Sequence, residues 1–228
     1  PVSMRSSDDT LVVLTPAIPA DHKEWSLFKD GGFTIKKRAE VLGIITKGKR
    51  GVCAAGTHGK TTTSTMTAHL LHQSSIDCAA FLGGISKNYR SNLITTDKSD
   101  FVVIEADEYD RSFLQLFPEI AVITSMDADH LDIYGDEAHI REAFKAFASQ
   151  VSGTVIARHG LDITVKDTAA KVMTYSFGEP EADFWAEPLE RGHFNLHWPG
   201  GIIEDCVVGI PGWVNVENAT AAAAIALT

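Results

Sequence analysis

The stretch GVCAAGTHGKTTTST, residues 51–65, constrains the fold of this chain more than any other. A small β-prone run, a loop with Gly56 and Gly59, and a helical run from Thr61 follow one another directly. This order is typical of a phosphate-binding loop, in which backbone N–H groups and the positive end of a helix face an anion. Lys60 can reach the β- and γ-phosphates of a nucleotide, and the Thr61 hydroxyl is placed for Mg²⁺.

The loop departs at one position from the common pattern G-x-x-x-x-G-K-[ST]. Ala54 stands where the first glycine is expected, and Gly56 comes two residues later. The departure shortens the phosphate cradle but removes none of the donors named above. The alternative is a tight strand-to-helix turn that contains Gly-Lys-Thr by chance. The strand before the loop and the helix after it favour the phosphate loop.

Apolar runs alternate with helical or polar segments after this loop. The strand-like runs are CAAFLGG, DFVVIEAD, EIAVITSMD and GTVIA, and DEAHIREAFKAFASQ reads as a helix. Strands separated by helices predict an α/β fold, with a mainly parallel sheet flanked by helices. From KVMTYSFG onward, short runs alternate with turn residues, which predicts a small antiparallel extension. An alanine-rich helix, NVENATAAAAIALT, follows.

The first fifty residues are too few for a domain of their own. TLVVLTP reads as a strand, DHKEWSLFKDGG as a helix with Asp21 near its N-cap, and KKRAEVLGIITKGK as a second helix. We therefore predict that residues 1–48 are the end of a preceding α/β domain and its linker. Residues 49–228 are predicted to be the nucleotide-binding domain.

Composition excludes several classes of protein. A net charge of −10 argues against nucleic acid as the main partner. No apolar run is long enough for a membrane span, and the first residues lack the apolar core of a signal peptide. The three cysteines are odd in number and widely spaced, which predicts reduced thiols of a cytoplasmic protein.

Acidic residues follow two of the predicted strands. The run FVVIE ends in Glu105, and IAVIT leads into SMDADHLDIYG, which contains Asp127, Asp129, His130 and Asp132. Parallel strands end at the same edge of a sheet, so these side chains are expected beside the phosphate loop, where a carboxylate can hold Mg²⁺. His130 could ligate a second metal or move a proton, and it could equally be a loop histidine that hydrogen-bonds the backbone.

Four motifs together resemble the Mur ligases, the ATP-dependent enzymes that build the peptide of bacterial cell-wall precursors. They are GTHGKTTT, IEADEYDRSF, DADHLDIYGD and NVENATAAAA, in the order and spacing of that family. TPAIPADHKEW and KRAEVLG resemble the end of the family's N-terminal domain and its linker. The resemblance implies amide synthesis through an acyl phosphate, with ATP and Mg²⁺. It also implies that most of a UDP-binding N-terminal domain and a whole C-terminal domain lie outside this chain.

The resemblance also implies the roles of individual residues. Lys60, Glu105 and His130 would be catalytic, and the metal would be held by Thr61, Glu105 and His130. Asn218 matches the family residue that contacts adenine, although without the family an ordinary helix N-cap region would explain both Asn215 and Asn218. Asn92 in YRSNL matches an asparagine near the sugar substrate. The nucleotide-binding residues implied are Gly56, Thr57, His58, Gly59, Lys60, Thr61, Thr62, Asn215 and Asn218.

Two positions depart from patterns seen elsewhere in the family. The place of a metal-binding carbamoylated lysine falls on Phe144, with Lys145 one residue later, so we predict no carbamoyl-lysine and a more weakly held second metal. Val214 stands where many members have histidine, which puts one nucleotide contact in doubt. The chemical role of His58 does not follow from the sequence.

Within the family, the motifs are most similar to the member that joins L-alanine to UDP-N-acetylmuramate. The alternative is the murein-peptide ligase, which attaches a tripeptide to the same sugar. A nucleotide switch without ligase chemistry is a third possibility, and it would not need His130. The oligomeric state is left open, and we expect no turnover from this chain without the C-terminal domain.

Overall fold

The described part of the amino-terminal segment, before β3, contains two strands and two helices. The computed structural model describes residues 7–15, 18–19, 21–127, 134, 136–164 and 166–228. After a 3-10 turn at Ser7–Asp9 come β1 (Leu11–Leu14), α1 (Lys23–Asp30), β2 (Thr34–Lys37) and α2 (Arg38–Gly48). Strands β1 and β2 pair in parallel as a separate sheet. Strand β1 and both helices match the predicted elements, and the N-cap of α1 is His22, the residue after Asp21. Strand β2 was not expected.

A large, mainly parallel sheet carries the glycine loop. Its parallel strands are β3 (Arg50–Ala55), β4 (Ala79–Ser86), β6 (Phe101–Ala106), β7 (Ile120–Ile123), β8 (Thr154–Arg158), β9 (Lys171–Phe177) and β10 (Phe184–Pro188). The short strand β5 (Ser91–Ile94) pairs antiparallel with β4 and closes one edge. Strand β3 lies between β6 and β7, so the loop after β3 is flanked by the carboxyl ends of both neighbours.

The opposite edge of this sheet is antiparallel. Strands β11 (His193–Trp198) and β12 (Gly201–Val207) form a hairpin, and β11 pairs antiparallel with β10. The predicted extension therefore exists, but it begins at β11, two strands later than the change in sequence texture suggests, because β10 also pairs in parallel with β9. KVMTYSFG forms β9, which continues the parallel order because it pairs in parallel with β8.

Helices cover both faces of the sheet. Helices α3 (Lys60–Gln73) and α5 (Trp213–Ala226) pack on one face, and α4 (Glu137–Ser149) packs on the other with the 3-10 segment Tyr109–Gln115. The side chains of β3 alternate between the two faces. Val52 and Ala54 pack on the face covered by α3 and α5, and Cys53 and Ala55 pack on the face covered by α4. The predicted fold class is confirmed.

Two further expectations concern cysteines and membranes. Cys53 and Cys78 are buried, Cys206 is partly buried, and all three are free thiols. Burial raises the pKa of the Cys78 thiol to about 12. Within the described ranges we find no helix with the length and apolar character needed to cross a bilayer.

Candidate functional site

Two glycines allow the loop between β3 and α3 to fold as it does. Gly56 and Gly59 have φ values of 139° and 83°, which side-chain-bearing residues rarely adopt. A Cβ on Gly56 would lie 2.0 Å from the Thr124 hydroxyl oxygen, and one on Gly59 would lie 2.8 Å from Asn218 Oδ1. Ala54, in contrast, lies inside β3 and pairs in register with both neighbouring strands. The position of the missing glycine is thus an ordinary strand position.

The end of β7 fixes the backbone of the loop. The Thr124 hydroxyl lies within hydrogen-bond distance of two carbonyls, those of Ala55, at 3.0 Å, and of His58, and can donate to either. Ser125 Oγ accepts from the His58 backbone N–H at 2.8 Å and lies 2.8 Å from Thr57 Oγ1. The His58 ring is exposed, and its Nε2 lies 3.8 Å from a carboxylate oxygen of Asp127. Its backbone, rather than its ring, makes the contacts that shape the loop.

Lys60 is held by two acceptors at the start of α3. Its Nζ donates to the Gly56 carbonyl at 2.8 Å and to Glu108 Oε1 at 2.9 Å. The Lys60 side chain is 15% exposed, whereas that of Glu108 is 1% exposed. Glu108 was not among the predicted site residues. The available signal was the acidic run that begins at Glu105, in which Glu108 comes three positions later, just past the end of β6.

Glu105 and Thr61 form an oxygen cluster beside the loop. The Thr61 hydroxyl donates to Glu105 Oε1 at 3.0 Å, and the Gly83 N–H donates to Glu105 Oε2 at 2.9 Å. Carboxylate and hydroxyl oxygens suit Mg²⁺, which also keeps waters and substrate phosphates as ligands. No group of three or more His, Cys, Asp or Glu side chains is arranged for a metal among the described residues. This donor set therefore fits Mg²⁺ carried by a nucleotide better than a metal held by protein alone.

The predicted second metal ligand, His130, lies outside the described residues, as do Asp129 and Asp132. Asp127 is exposed in the segment after β7. Tyr134, from the same motif, is buried, and its hydroxyl donates to the Glu108 carbonyl at 2.5 Å. The roles of His130 remain predictions.

Helix α5 brings one of the two predicted asparagines to the loop. Asn218 is buried, its Oδ1 accepts a hydrogen bond from the Thr63 hydroxyl at 3.3 Å, and it adjoins Gly59. Asn215 lies in the first turn, where its amide donates to the Pro211 carbonyl at 2.7 Å. The N-cap of this helix is Gly212, so neither asparagine caps it. The structure therefore places Asn218 against the loop, and its contact with a nucleotide remains a prediction.

Four other positions singled out in the sequence lie at different places around the phosphate loop and the sheet. Thr62 lines a groove on the outer face of α3, together with Thr61. Val214 is exposed at the start of α5. Asn92 is exposed on β5, which β4 and β6 separate from β3, so the structure does not bring it to the loop. Phe144 is fully buried in the core, 5.2 Å from the ring of Phe113.

Lys145 faces away from the core into an ion pair. Its Nζ lies 2.8 Å from Asp162 Oδ2, and this hydrogen bond raises the pKa of the lysine. Carbamoylation consumes the neutral amine, so a raised pKa disfavours it. The expected absence of a carbamoyl-lysine remains a prediction.

A cavity of about 210 Å³ opens next to the Glu105 carboxylate. Arg38 and Leu42 of α2 line one side, and Gly83 of β4 and Ser112 of the 3-10 segment Tyr109–Gln115 line the other. The cavity therefore lies between the amino-terminal segment and the part of the large sheet that carries Glu105. A second substrate could approach the nucleotide phosphates from there.

Comparison with known proteins gives concordant matches. Residues 54–226 match the family described as Mur ligase middle domain. The chain is 49% identical to UDP-N-acetylmuramate–L-alanine ligase from Porphyromonas gingivalis over 99% of its length and 51% of that protein. It is 52% identical to the enzyme of that name from Parabacteroides distasonis, over 98% of the chain and 50% of that protein. The chain thus spans about half the length of the curated relatives it matches.

Solved structures share the fold. UDP-N-acetylmuramate-alanine ligase from Thermotoga maritima matches with a TM-score of 0.78 and 25% identity, over 98% of this chain and 53% of that one. UDP-N-acetylmuramate:L-alanyl-gamma-D-glutamyl-meso-diaminopimelate ligase from Neisseria meningitides matches with a TM-score of 0.81 and 23% identity, over 95% and 73%. At that identity the second match shows the fold alone.

Proposed function

The chain belongs to the Mur ligase family, and we propose that the protein containing it joins L-alanine to the carboxylate of UDP-N-acetylmuramate, converting ATP to ADP and phosphate. The observation that carries this proposal is a glycine loop that holds Lys60, next to the Thr61–Glu105 pair, whose carboxylate lines a cavity. The names of relatives that are 49% and 52% identical support the choice of L-alanine and of the sugar.

The chemistry explains why a cation lies in the loop. The substrate carboxylate attacks the γ-phosphorus of ATP, an acyl phosphate forms, and ADP leaves. The amine of L-alanine then attacks the acyl carbon, phosphate departs, and the nitrogen releases a proton as the amide forms. The first step brings two anions together, so positioning and neutralisation of charge dominate the barrier. Lys60 supplies a positive charge and an N–H donor at the γ-phosphate.

The residues that would hold Mg²⁺ are Thr61 and Glu105, with His130 proposed for a second ion. When bound, the ion neutralises negative charge on the β- and γ-phosphates. Glu105 is oriented for this by the Gly83 N–H and the Thr61 hydroxyl. Asn218, and Asn215 one turn before it, would contact the nucleoside.

We further propose the domain division drawn above, with residues 1–48 completing a UDP-sugar-binding domain and residues 49–228 forming the ATP-binding domain. Arg38 then places a cation in the cavity between the two parts, where an anionic substrate would lie. We expect the enzyme to act in the cytoplasm, where its nucleotide substrates are found. The acceptor site would be completed by a domain outside this chain.

The murein-peptide ligase is the second candidate. Its fold matches this chain well, but at 23% identity that match does not favour its substrate. Identity near one half to alanine-adding enzymes favours L-alanine.

Phosphate release by the full-length protein tests the proposal. The assay contains Mg-ATP and UDP-N-acetylmuramate, with either L-alanine or the L-Ala-γ-D-Glu-diamino-acid tripeptide as acceptor. Release that requires both the sugar and L-alanine is expected. A response to the tripeptide alone would establish the second candidate, and release without either acceptor would indicate a nucleotide switch.

A further inference from the structure

Glu108 is a buried carboxylate whose partner is the Lys60 ammonium. Its Oε1 accepts from Lys60 Nζ at 2.9 Å, and its Oε2 lies 2.7 Å from the same nitrogen. The ammonium also donates to the Gly56 carbonyl at 2.8 Å. Because an ammonium has three N–H donors, these two hydrogen bonds fix its direction and leave one donor for a phosphate oxygen.

We propose that Glu108 is a positioning residue that directs the remaining N–H of Lys60 toward the terminal phosphate of the nucleotide. This inference rests on the proposed ATP-dependent function. A lysine carries a compact charge on a flexible four-carbon stem, so without an anchor its ammonium can follow several phosphate oxygens. Transfer of a phosphoryl group depends on accurate placement of the groups around it. A carboxylate behind the ammonium supplies that placement.

The backbone around Glu108 is held in place from several sides. Its carbonyl accepts hydrogen bonds from Tyr134 Oη at 2.5 Å and from the Arg111 N–H at 2.9 Å. Asp110 and Arg111 have φ values of 52° and 53°, a left-handed conformation that costs free energy for residues other than glycine. Contacts oppose this cost: Asp110 pairs with Lys37 at 3.1 Å, and the Arg111 guanidinium lies 5.5 Å from the centre of the Tyr134 ring.

Burial gives the pair a second property. A buried carboxylate is costly without its cation, so the two side chains depend on each other. An ion pair with a purely structural role could lie anywhere in the fold, whereas this pair includes Lys60, the residue proposed to bind the nucleotide phosphates. Glu108 therefore links the conformation of the phosphate loop, through Lys60, to the end of β6 that carries Glu105.

The test compares Glu108→Gln with Asp100→Asn in the full-length protein. Asp100→Asn also removes one carboxylate charge and breaks an ion pair with a lysine, Lys49. This pair lies at the amino end of β6, away from the phosphate loop. Affinities for Mg-ATP and Mg-ADP are measured by calorimetry, and turnover by phosphate release. A purely structural role would alter both affinities equally, whereas positioning acts on the nucleotide that has a γ-phosphate.

For Glu108→Gln we expect Mg-ADP affinity to be unchanged, and Mg-ATP affinity and kcat each to fall by about tenfold, the loss of one charge-assisted hydrogen bond. The Asp100→Asn variant should have the wild-type affinities for Mg-ATP and Mg-ADP and the wild-type kcat. Equal losses for ADP and ATP, or no change in either, would overturn the proposal. If wild type shows no turnover with either acceptor, the proposed ligase function fails, while the ratio of ATP to ADP affinity still decides the role of Glu108.

Discussion

The position of the Glu105 carboxylate depends on a residue that has no side chain. A Cβ on Gly83 would lie 2.2 Å from Glu105 Oε2 and 2.4 Å from its Cδ. Gly83 also donates its N–H to that carboxylate. The glycine thus provides both the space and the donor that keep Glu105 beside Thr61. Sequence inspection did not indicate this requirement, because it arises from the pairing of β4 with β6.

Substituting Gly83 by alanine tests this arrangement. We expect Gly83→Ala to displace the carboxylate, to raise the Mg²⁺ concentration needed for turnover, and to lower kcat by about a hundredfold, as small misplacements in active sites do. Turnover measured across a Mg²⁺ titration reports both effects. Gly84→Ala is the matched control, since its Cβ would meet only Thr61 Cγ2 at 3.4 Å. Equal activity of the two variants would contradict this account of Glu105.

At the scale of elements, helix α4 begins directly after the motif that contains His130. Its N-cap is Asp136, whose Oδ1 accepts a hydrogen bond from the His139 N–H at 3.0 Å. That backbone hydrogen bond is the main cause that lowers the pKa of Asp136. A carboxylate at this end also suits the helix dipole. The cap therefore fixes where the motif ends and the helix begins.

Removing the cap should have a pH-dependent effect. A lowered pKa in the folded state means that ionised Asp136 stabilises the protein above its unfolded-state pKa, and that this stability disappears as pH falls through the lowered folded-state value. We expect Asp136→Ala to melt below wild type at pH 7 and the gap to narrow in acid. Melting temperatures measured from pH 7 to pH 3 check this. Glu142→Ala is the control, because it removes an exposed carboxylate of the same helix that does not cap it. An equal loss of melting temperature for this variant at pH 7 would contradict the capping role of Asp136.

The elements also show where sequence reasoning succeeds. The strand–loop–helix unit and the placement of Glu105 and Asn218 beside it could be predicted, because each belongs to a short motif with fixed spacing. Strand β2 could not, because TIKK has one large apolar residue and lacks a strand-like pattern. Glu108 was missed for a different reason: its partner Lys60 lies 48 residues away, and only the adjacency of β3 and β6 joins them. Residues defined by tertiary pairing leave little trace in a local pattern.

At the scale of the whole molecule, the site is assembled from distant parts of one sheet. The phosphate loop follows β3, the Glu105 carboxylate comes from β6, and Asn218 comes from α5. Helix α2 of the amino-terminal segment lines the cavity next to Glu105. A ligand that contacts all of these binds the folded state and has little affinity for the unfolded chain. Its binding free energy therefore adds to the free energy of unfolding.

Mg-ATP should consequently raise the melting temperature of the protein. At a nucleotide concentration about 100 times Kd, the stabilisation is about 2.7 kcal/mol, which for a chain of this size corresponds to a rise of roughly 5–11 °C. The double variant Lys60→Met/Glu108→Gln removes the cation without leaving a buried carboxylate unpaired, so it should melt near wild type alone and respond far less to Mg-ATP. Differential scanning fluorimetry with and without nucleotide measures both quantities. A full rise in the double variant would show that Lys60 does not bind the phosphates, because the rest of the site is left intact.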